Sequence, residues 1–330
     1  MIIYFDSLFL EHRHASGHPE SPQRLIPLID SLKKKGLAYN IRVPECADTA
    51  EILSVHSLPY VESILNRTVG SLDPETPVYP STYHIASFAA GAAISSVSEA
   101  LATRSTALAL VRPPGHHAGK SVGGGFCYFN NVAVAVRSRQ GMKTAIVDID
   151  VHHGNGTSEI FYDDGSVLYI STHQMGIYPG TGSMEDIGSG RGKYFNVNIP
   201  LPAGAGDSTF DVAFEDVIIP VVSRFNPDFI VISLGTDAHY MDPLASLTLS
   251  TPGYLRCISM IQAIGKPVAV VLEGGYHPDA LSDVVCGLVS AADNVDFKPR
   301  FDRVYDTSCA GRRQLLDVIR ILSEYWDIVG

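Results

Sequence analysis

The chain has 330 residues, 45% of them hydrophobic and 18% charged, and a formal net charge of −11 at pH 7. That is enough chain for one large α/β domain with a substantial core, and so acidic a balance excludes a phosphate-binding surface, which needs clustered Lys and Arg. The five cysteines form no C-x-x-C pair, so no disulfide framework or zinc knuckle is expected and a cytoplasmic setting fits; no secretory leader and no apolar run long enough to span a bilayer is read.

In chain order, residues 1–5 read as a short opening strand. The loop over 11–20 carries His12, His14 and His18 without a supporting carboxylate, and a surface loop is expected rather than a metal site. Ser21-Pro22 starts a helix that Gly36 ends, Pro at the first helical position being a good start signal. The triplet Lys33 to Lys35 and the pair Arg312-Arg313 read as solvated helix faces. Residues 50–66 form an amphipathic helical unit. Pro74, Pro77 and Pro80 mark an extended loop, in which Asp73 and Glu75 read as solvated charge rather than a grip on a substrate backbone. A helix of small residues follows over about 82–102, suited to tight packing on a sheet.

Four apolar strands then end in polar or glycine-rich punctuation. The strand over 106–111 runs into Arg112-Pro113-Pro114-Gly115-His116-His117, and Ala145-Ile146-Val147 runs into Asp148-Ile149-Asp150-Val151-His152-His153-Gly154-Asn155. The strand over 229–234 ends at Gly235-Thr236-Asp237, and that over 268–272 at Glu273-Gly274-Gly275-Tyr276. Between them lie helices over about 130–139, 157–162, 210–225 and 252–264, a strand over 167–172, and a glycine-rich loop holding Tyr178. A last helix over about 311–326 is expected on the sheet edge. Strands that are continuous apolar runs, alternating with helices, predict an α/β fold: a mostly parallel central sheet covered by helices on both faces. No linker or repeat divides residues 1–330, so one domain is expected.

Ligand sites in open α/β sheets lie beyond the carboxyl ends of the strands, which gathers these four clusters at one place. Alternation puts Asp148, Asp150 and His152 on one strand face, where buried carboxylates need a positive partner. A divalent metal is one answer and a hydrogen-bonded capping loop the other. Asp150, His152 and Asp237 make a three-ligand set that leaves a position open for water, as metal catalysis requires; Asp237 alone would more often be a helix cap. His116 and His117 suit acid–base work, although a lone histidine after a strand is usually structural. Asp148 is placed to orient a neighbour through its ring N–H. Tyr276, behind two glycines, can donate to an oxyanion or merely pack. For Phe126 and Tyr178, channel wall and core are both open.

Arg112 to His117, Gly125-Phe126-Cys127-Tyr128-Phe129-Asn130, Asp148 to Thr157, Ser233 to Asp237 and Glu273 to Tyr276 together resemble the histone deacetylase superfamily, which includes acetylpolyamine amidohydrolases and acetoin-utilisation proteins. The resemblance runs in order from His18-Pro19-Glu20 to Tyr276 and implies an arginase/deacetylase fold that hydrolyses N-acetyl amides. It implies metal ligation by Asp150, His152 and Asp237, with zinc usual and ferrous iron the alternative. His117 becomes the general base, His116 its electrostatic partner held by Asp148, and Tyr276 the oxyanion donor. Phe126 and Tyr178 become tunnel walls, and Gly125 the acceptor of the acetamide N–H. A potassium ion near Asp148, Asp150, His152 and Ser171 is implied as well. Position 155 is Asn, as in the class II branch; if Asn155 partners His117, the imidazole lacks an anionic neighbour.

The substrate is less constrained than the reaction. Asp242-Pro243-Leu244 carries leucine where the polyamine-selective branch has a charge-selecting glutamate, which favours acetyl-lysine in proteins or peptides over acetylpolyamines or other small acylated amines. The dimer-forming insertion of bacterial polyamine enzymes is not found, and a homo-oligomer is left open. No nucleic-acid or membrane partner is expected. An arginase-like ureohydrolase would need a carboxylate where His239 stands, and an inactive binding module would have lost a ligand, His117 or Tyr276.

Overall fold

Runs of aliphatic residues bounded by polar or glycine-rich turns set the frame of the molecule, a computed structural model that describes residues 1–67 and 69–328. The strands are β1 (Ile2–Tyr4), β2 (Ile41–Arg42), β3 (Gly70–Ser71), β4 (Pro77–Val78), β5 (Thr106–Ala109), β6 (Thr144–Asp148), β7 (Val167–Gln174), β8 (Asn196–Leu201), β9 (Phe229–Leu234) and β10 (Val268–Leu272). Eight of them form one sheet in the order β2-β1-β5-β10-β9-β6-β7-β8, and all its pairings are parallel. β3 and β4 make a separate antiparallel pair. Every residue of β6, β9 and β10 is buried, which for a period-two strand means that both sheet faces are covered. The α/β expectation holds. β5, β10, β9 and β6 are consecutive neighbours, so the four strand ends singled out above emerge side by side.

Several elements depart from expectation. β8 is hidden in the sequence, because Pro200 and two asparagines mask it. Proline cannot donate to a ladder and is confined to edges, and β8 is the edge strand, packed by the helix Arg312–Leu322. The helix Pro278–Ala292 is a further addition; it starts with proline in its first turn and His277 as its cap. The expected helix over 210–225 starts earlier, at Asp207, and passes through a π-helical turn, Ala213–Ile218. The helix Thr82–Thr103, at 22 residues, is in fact long and apolar enough to cross a membrane, contrary to the sequence reading; most of it is buried against β1, β5, β10 and the helix Asn131–Arg137. Its alanines and glycine are what allow that close packing.

The N-terminal loop is a surface loop on one side only: Glu11, Arg13 and Ala15 to Gly17 are exposed, while its other side is buried. His12 is 1% exposed, and Glu20, buried completely, is the carboxylate that the loop lacks on a reading of the sequence. Glu20 accepts from Arg112 Nε at 2.5 Å and Nη2 at 2.8 Å, and from Arg24 Nη1 at 3.1 Å. Burial alone would raise its carboxyl, but the Arg112 guanidinium holds it well below the ordinary value. Although His12, His14 and Glu20 lie close enough together to ligate a cation, two guanidinium groups already supply the charge. The stability tied to a depressed carboxylate is present above its unfolded pKa and lost only as pH falls through the folded one. Glu20→Gln, which strands two buried cations, is therefore expected to destabilise the fold by about 3 kcal/mol at neutral pH, read from urea-unfolding midpoints. An unchanged midpoint would remove the ion network from the account of how this loop is held.

Candidate active site

Beyond β6 the chain leaves the sheet, and the convergence predicted by strand alternation is achieved by turns instead. The Asp150 amide donates to Asp148 Oδ1 at 3.2 Å, the His152 amide to Asp150 Oδ1 at 2.9 Å, and the Val151 amide to Asp237 Oδ1 at 2.9 Å. Asp148 and Asp150 thus fold back on backbone two residues on, the local habit of Asp in turns, while Asp237 reaches across from the loop after β9. The helix expected at 157 starts at Asn155.

Asp150, His152 and Asp237 present ligand atoms close enough together to share one ion. His152 Nδ1 lies 3.1 Å from Asp150 Oδ1 and 3.2 Å from Asp237 Oδ2. A tetrahedral ion with bonds of about 2 Å has ligand–ligand edges of roughly 3.3 Å, so the spacing fits. Asp237 Oδ2 is buried without a well-directed hydrogen bond, and among the described residues no Lys or Arg pairs with Asp150 or Asp237. Burial should depress the His152 imidazole, yet hydrogen bonds to Asp150 and Asp237 lift it to about 10. The set demands positive charge, and a divalent cation meets that demand with a neutral imidazole. Gly274 lets the backbone pass beside it: a Cβ there would sit 2.1 Å from Asp237 Oδ2 and 2.5 Å from Asp150 Oδ2.

The two histidines after β5 lie beside this set with ring centroids 4.0 Å apart. The His116 Nδ1 is 3.1 Å from Asp148 Oδ2, and the Tyr169 hydroxyl donates to the same oxygen at 3.1 Å. Burial works against a charge on His116, but Asp150 and Asp148 outweigh it and hold the ring up to about 10. His117 goes the other way. Burial first, then the neighbouring His116 and His152, push it well below its ordinary value. Its Nδ1 meets Asn155 Oδ1 at 2.7 Å, the partner anticipated from sequence. Since an amide oxygen only accepts, Nδ1 carries the proton and Nε2 keeps its lone pair.

These groups open onto a cavity of about 180 Å³ lined by Pro19, Glu75, His117, Gly125, Phe126, His152, Tyr178, Leu244 and Tyr276. The candidate wall residues therefore line a channel rather than the core. Phe126 has φ +69°, an unusual backbone for a bulky side chain. It is pinned by its amide on Thr76 Oγ1 at 2.9 Å and by the Gly125 amide on Asp73 Oδ2 at 2.8 Å. Asp73, read from sequence as solvated charge, instead secures the wall; Glu75 is exposed at the mouth. Tyr178 meets His117 edge-on at 4.9 Å, Phe126 meets Tyr276 at 5.7 Å, and Leu244, 39% exposed, sits on the rim. His18 ties the two rim loops together, accepting at Nδ1 from the Glu20 amide and donating from Nε2 to the Glu75 carbonyl. Ser171 pairs with Asp148 across β6 and β7, next to the carboxylate cluster, and its hydroxyl meets His173 Nδ1 at 2.9 Å. His239 is turned away from the donor set, towards Thr251.

Sequence reasoning misses the groups that hold these residues. Glu273 accepts from the amides of Gly115 and His116 at 2.7 and 3.1 Å and from Ser233, joining the ends of β5, β9 and β10. Arg24 and Asp242 hold the Tyr276 loop. Glu273 is legible as part of a strand-end motif; Arg24 carries no such signal.

A buried Asp/His donor set, a neutral imidazole and a phenol at the carboxyl ends of a parallel sheet are the equipment of a metal-assisted hydrolase. The family model described as "Histone deacetylase domain" matches residues 18–292. The chain is 38% identical to a "Probable deacetylase" of Archaeoglobus fulgidus, covering 98% of both chains. It is 37% identical to "Histone deacetylase 14, chloroplastic" of Arabidopsis thaliana over 86% of this chain and 74% of that one. With a "Histone deacetylase-like amidohydrolase" of Pseudomonas aeruginosa it shares 38% identity over 79% of this chain and 73% of the relative. The fold matches the crystal structure of the HDA15 HD domain with a TM-score of 0.91 at 35% identity, covering 99% and 95% of the two chains. The chain belongs to the histone deacetylase family.

Proposed function

We propose that this protein is a metal-dependent deacetylase acting as one domain on N-acetylated amines, with acetyl-lysine in proteins or peptides as the preferred substrate. The observation that carries the reading is a single narrow cavity with the donor set and His117 at its base, Tyr276 beside them, and Phe126, Tyr178 and Leu244 as walls. A zinc or ferrous ion on Asp150, His152 and Asp237 would supply Lewis acidity, polarising the acyl oxygen and making water nucleophilic. A potassium ion beside Asp148 and Ser171 belongs to the same proposal.

The side chains account for the proton movements. His117, neutral and fixed at Nδ1 by Asn155, takes a proton at Nε2 and returns it to the leaving amine. His116, held cationic by Asp148 and Asp150, keeps His117 from protonating early. Tyr276 remains a phenol, because burial pushes its hydroxyl well above the ordinary value, and it donates to the oxyanion. Phe126 and Tyr178 exclude water from the acyl-bearing chain, and the Gly125 carbonyl is available for the amide N–H.

Acetyl-lysine is favoured because the rim residue of the Asp242-Pro243-Leu244 segment is apolar and offers no charge to an ammonium-bearing chain, which leaves Glu75, exposed at the mouth, as the carboxylate on the cavity lining that such a chain could reach. The test is hydrolysis by the zinc-loaded protein of acetyl-lysine peptides against acetylated polyamines, with a chelated control. Faster peptide turnover that zinc restores after chelation supports the reading. Turnover of polyamines alone moves the substrate to the second class, and no metal dependence sinks the mechanism.

The Asn155 contact gives a signed expectation. Replacing a neutral acceptor 2.7 Å from Nδ1 by a carboxylate raises the pKa of His117. The base acts deprotonated, so Asn155→Asp is expected to move the acid limb of kcat/KM to higher pH by roughly one pH unit or more. An acid limb that stays in place would show that His117 is not the group titrating there.

A further inference from the structure

The peptide unit joining Gly275 to Tyr276 is gripped at both ends. Its carbonyl oxygen accepts from Arg24 Nε at 2.7 Å, and its N–H donates to Asp242 Oδ2 at 2.6 Å. The same Oδ2 takes the His277 amide at 3.2 Å, while Oδ1 takes the Leu244 amide at 3.0 Å. Asp242 is 8% exposed, and among the described residues it has no ion-pair partner; its carboxylate is taken up by backbone of the two loops that leave β9 and β10.

Such a restraint has a physical reason. Gly274 must be glycine, because a Cβ would collide with Asp237 and Asp150. Gly275, at φ +117°, holds a backbone that other residues rarely adopt, and a Cβ there would meet Thr236 Oγ1 at 2.0 Å. Two successive glycines make the most permissive hinge a chain can have, placed directly before the residue whose hydroxyl must be aimed. Gly274 is tied by its N–H to Asp150 Oδ2 at 2.7 Å and by its carbonyl to the Thr236 amide at 3.1 Å, which leaves the Gly275–Tyr276 peptide as the next unit to be held. Among the described residues the Tyr276 hydroxyl makes no hydrogen bond; Phe126 meets the ring edgewise and the Arg24 guanidinium lies over it, 5.0 Å from its centroid. The hold on the peptide itself then sets the direction from which the phenol enters the cavity.

We infer that Asp242 is a positioning residue for the reaction. Through one carboxylate it fixes the Gly275–Tyr276 peptide, so that the phenol faces the cavity, and it locks the rim residue Leu244 to that peptide. Asp242 touches no substrate and acts through Tyr276, so the inference rests on the oxyanion role proposed above.

Asp242→Asn tests it, because an amide turns a donor towards at least one of the three backbone N–H groups that the carboxylate now accepts. The zinc-loaded wild type, Asp242→Asn, Tyr276→Phe and the double variant are compared for kcat and KM, with zinc content and melting temperature as controls. Asp242→Asn is expected to lower kcat roughly 10- to 100-fold, as misplacement by about 1 Å does, with KM within about twofold. In the Tyr276→Phe background the same change should cost less than about twofold, since the hydroxyl that it positions is already gone. Equal fold-losses in both backgrounds would overturn the inference and leave Asp242 a purely structural residue. Full activity of Tyr276→Phe alone would instead bring down the oxyanion role, and the inference with it. If Asp242→Asn does not fold, Asp242→Ser, which keeps one acceptor, enters the same four-way comparison: a loss confined to the Tyr276 background supports the positioning role, and equal losses overturn it.

Discussion

His117→Ala is expected to lower kcat/KM by roughly 10²- to 10⁴-fold while leaving the fold and the metal content intact. The size follows from what the ring alone can do. It is the imidazole on the cavity that burial and two neighbouring rings keep neutral, and its Nδ1 is committed to Asn155, which leaves Nε2 as a base aimed into the site. His116 cannot substitute. Its Nδ1 faces Asp148, the carboxylates of Asp150 and Asp148 push its pKa up, and it is not among the residues that line the cavity. His116→Ala should act differently, removing the charge that compensates Asp148 and costing stability as well as rate. The measurement is a pair of pH–rate profiles with zinc content determined for each variant. A His117→Ala protein that keeps its acid limb and most of its rate, beside an inactive but folded His116→Ala protein, would transfer the base to His116.

What the sequence makes legible follows a physical division. β9 and β10 are legible to the residue because each is a short aliphatic run closed by a glycine-containing turn, and the strand ends carry the chemistry, as open α/β sheets require. The donor set, both histidines and Tyr276 are legible for that reason, and the structure gathers them around one cavity, which His117, His152 and Tyr276 line. Features that depend on distant partners are not legible. The loop of His12 reads as polar and solvated, yet Arg112, about a hundred residues on, joins Arg24 in offsetting the cost of burying its Glu20. Arg24 reaches backbone oxygens roughly 250 positions away. Asp242 reads as one element of a substrate-selecting segment, although its carboxylate serves the next loop. β8 escapes for a subtler reason: an edge strand tolerates the proline and asparagines that argue against a central one. Even a correct placement has a partly wrong cause, since β6 stops at Asp148 and turns, not pleating, bring Asp150 and His152 round.

Tyr276→Phe is expected to reduce kcat by roughly 10²- to 10³-fold with little change in KM, the signature of a hydrogen bond made in the transition state rather than to bound substrate. The substitution removes one oxygen from the cavity wall and leaves the ring contacts with Phe126 and Arg24 in place, so packing should survive. No hydrogen bond is lost either, because the hydroxyl has no partner among the described residues; what disappears is a donor waiting for an acceptor. A phenol kept well above its ordinary pKa by burial does not ionise over the working range. Its loss should therefore scale the whole pH–rate profile downward without shifting either limb. The Asn155→Asp change should do the reverse, moving the acid limb with a smaller effect on the plateau. Recording both profiles on one acetyl-lysine peptide separates the two roles. If Tyr276→Phe raises KM and spares kcat, the hydroxyl binds ground-state substrate, and the oxyanion must find its stabilisation elsewhere in the site.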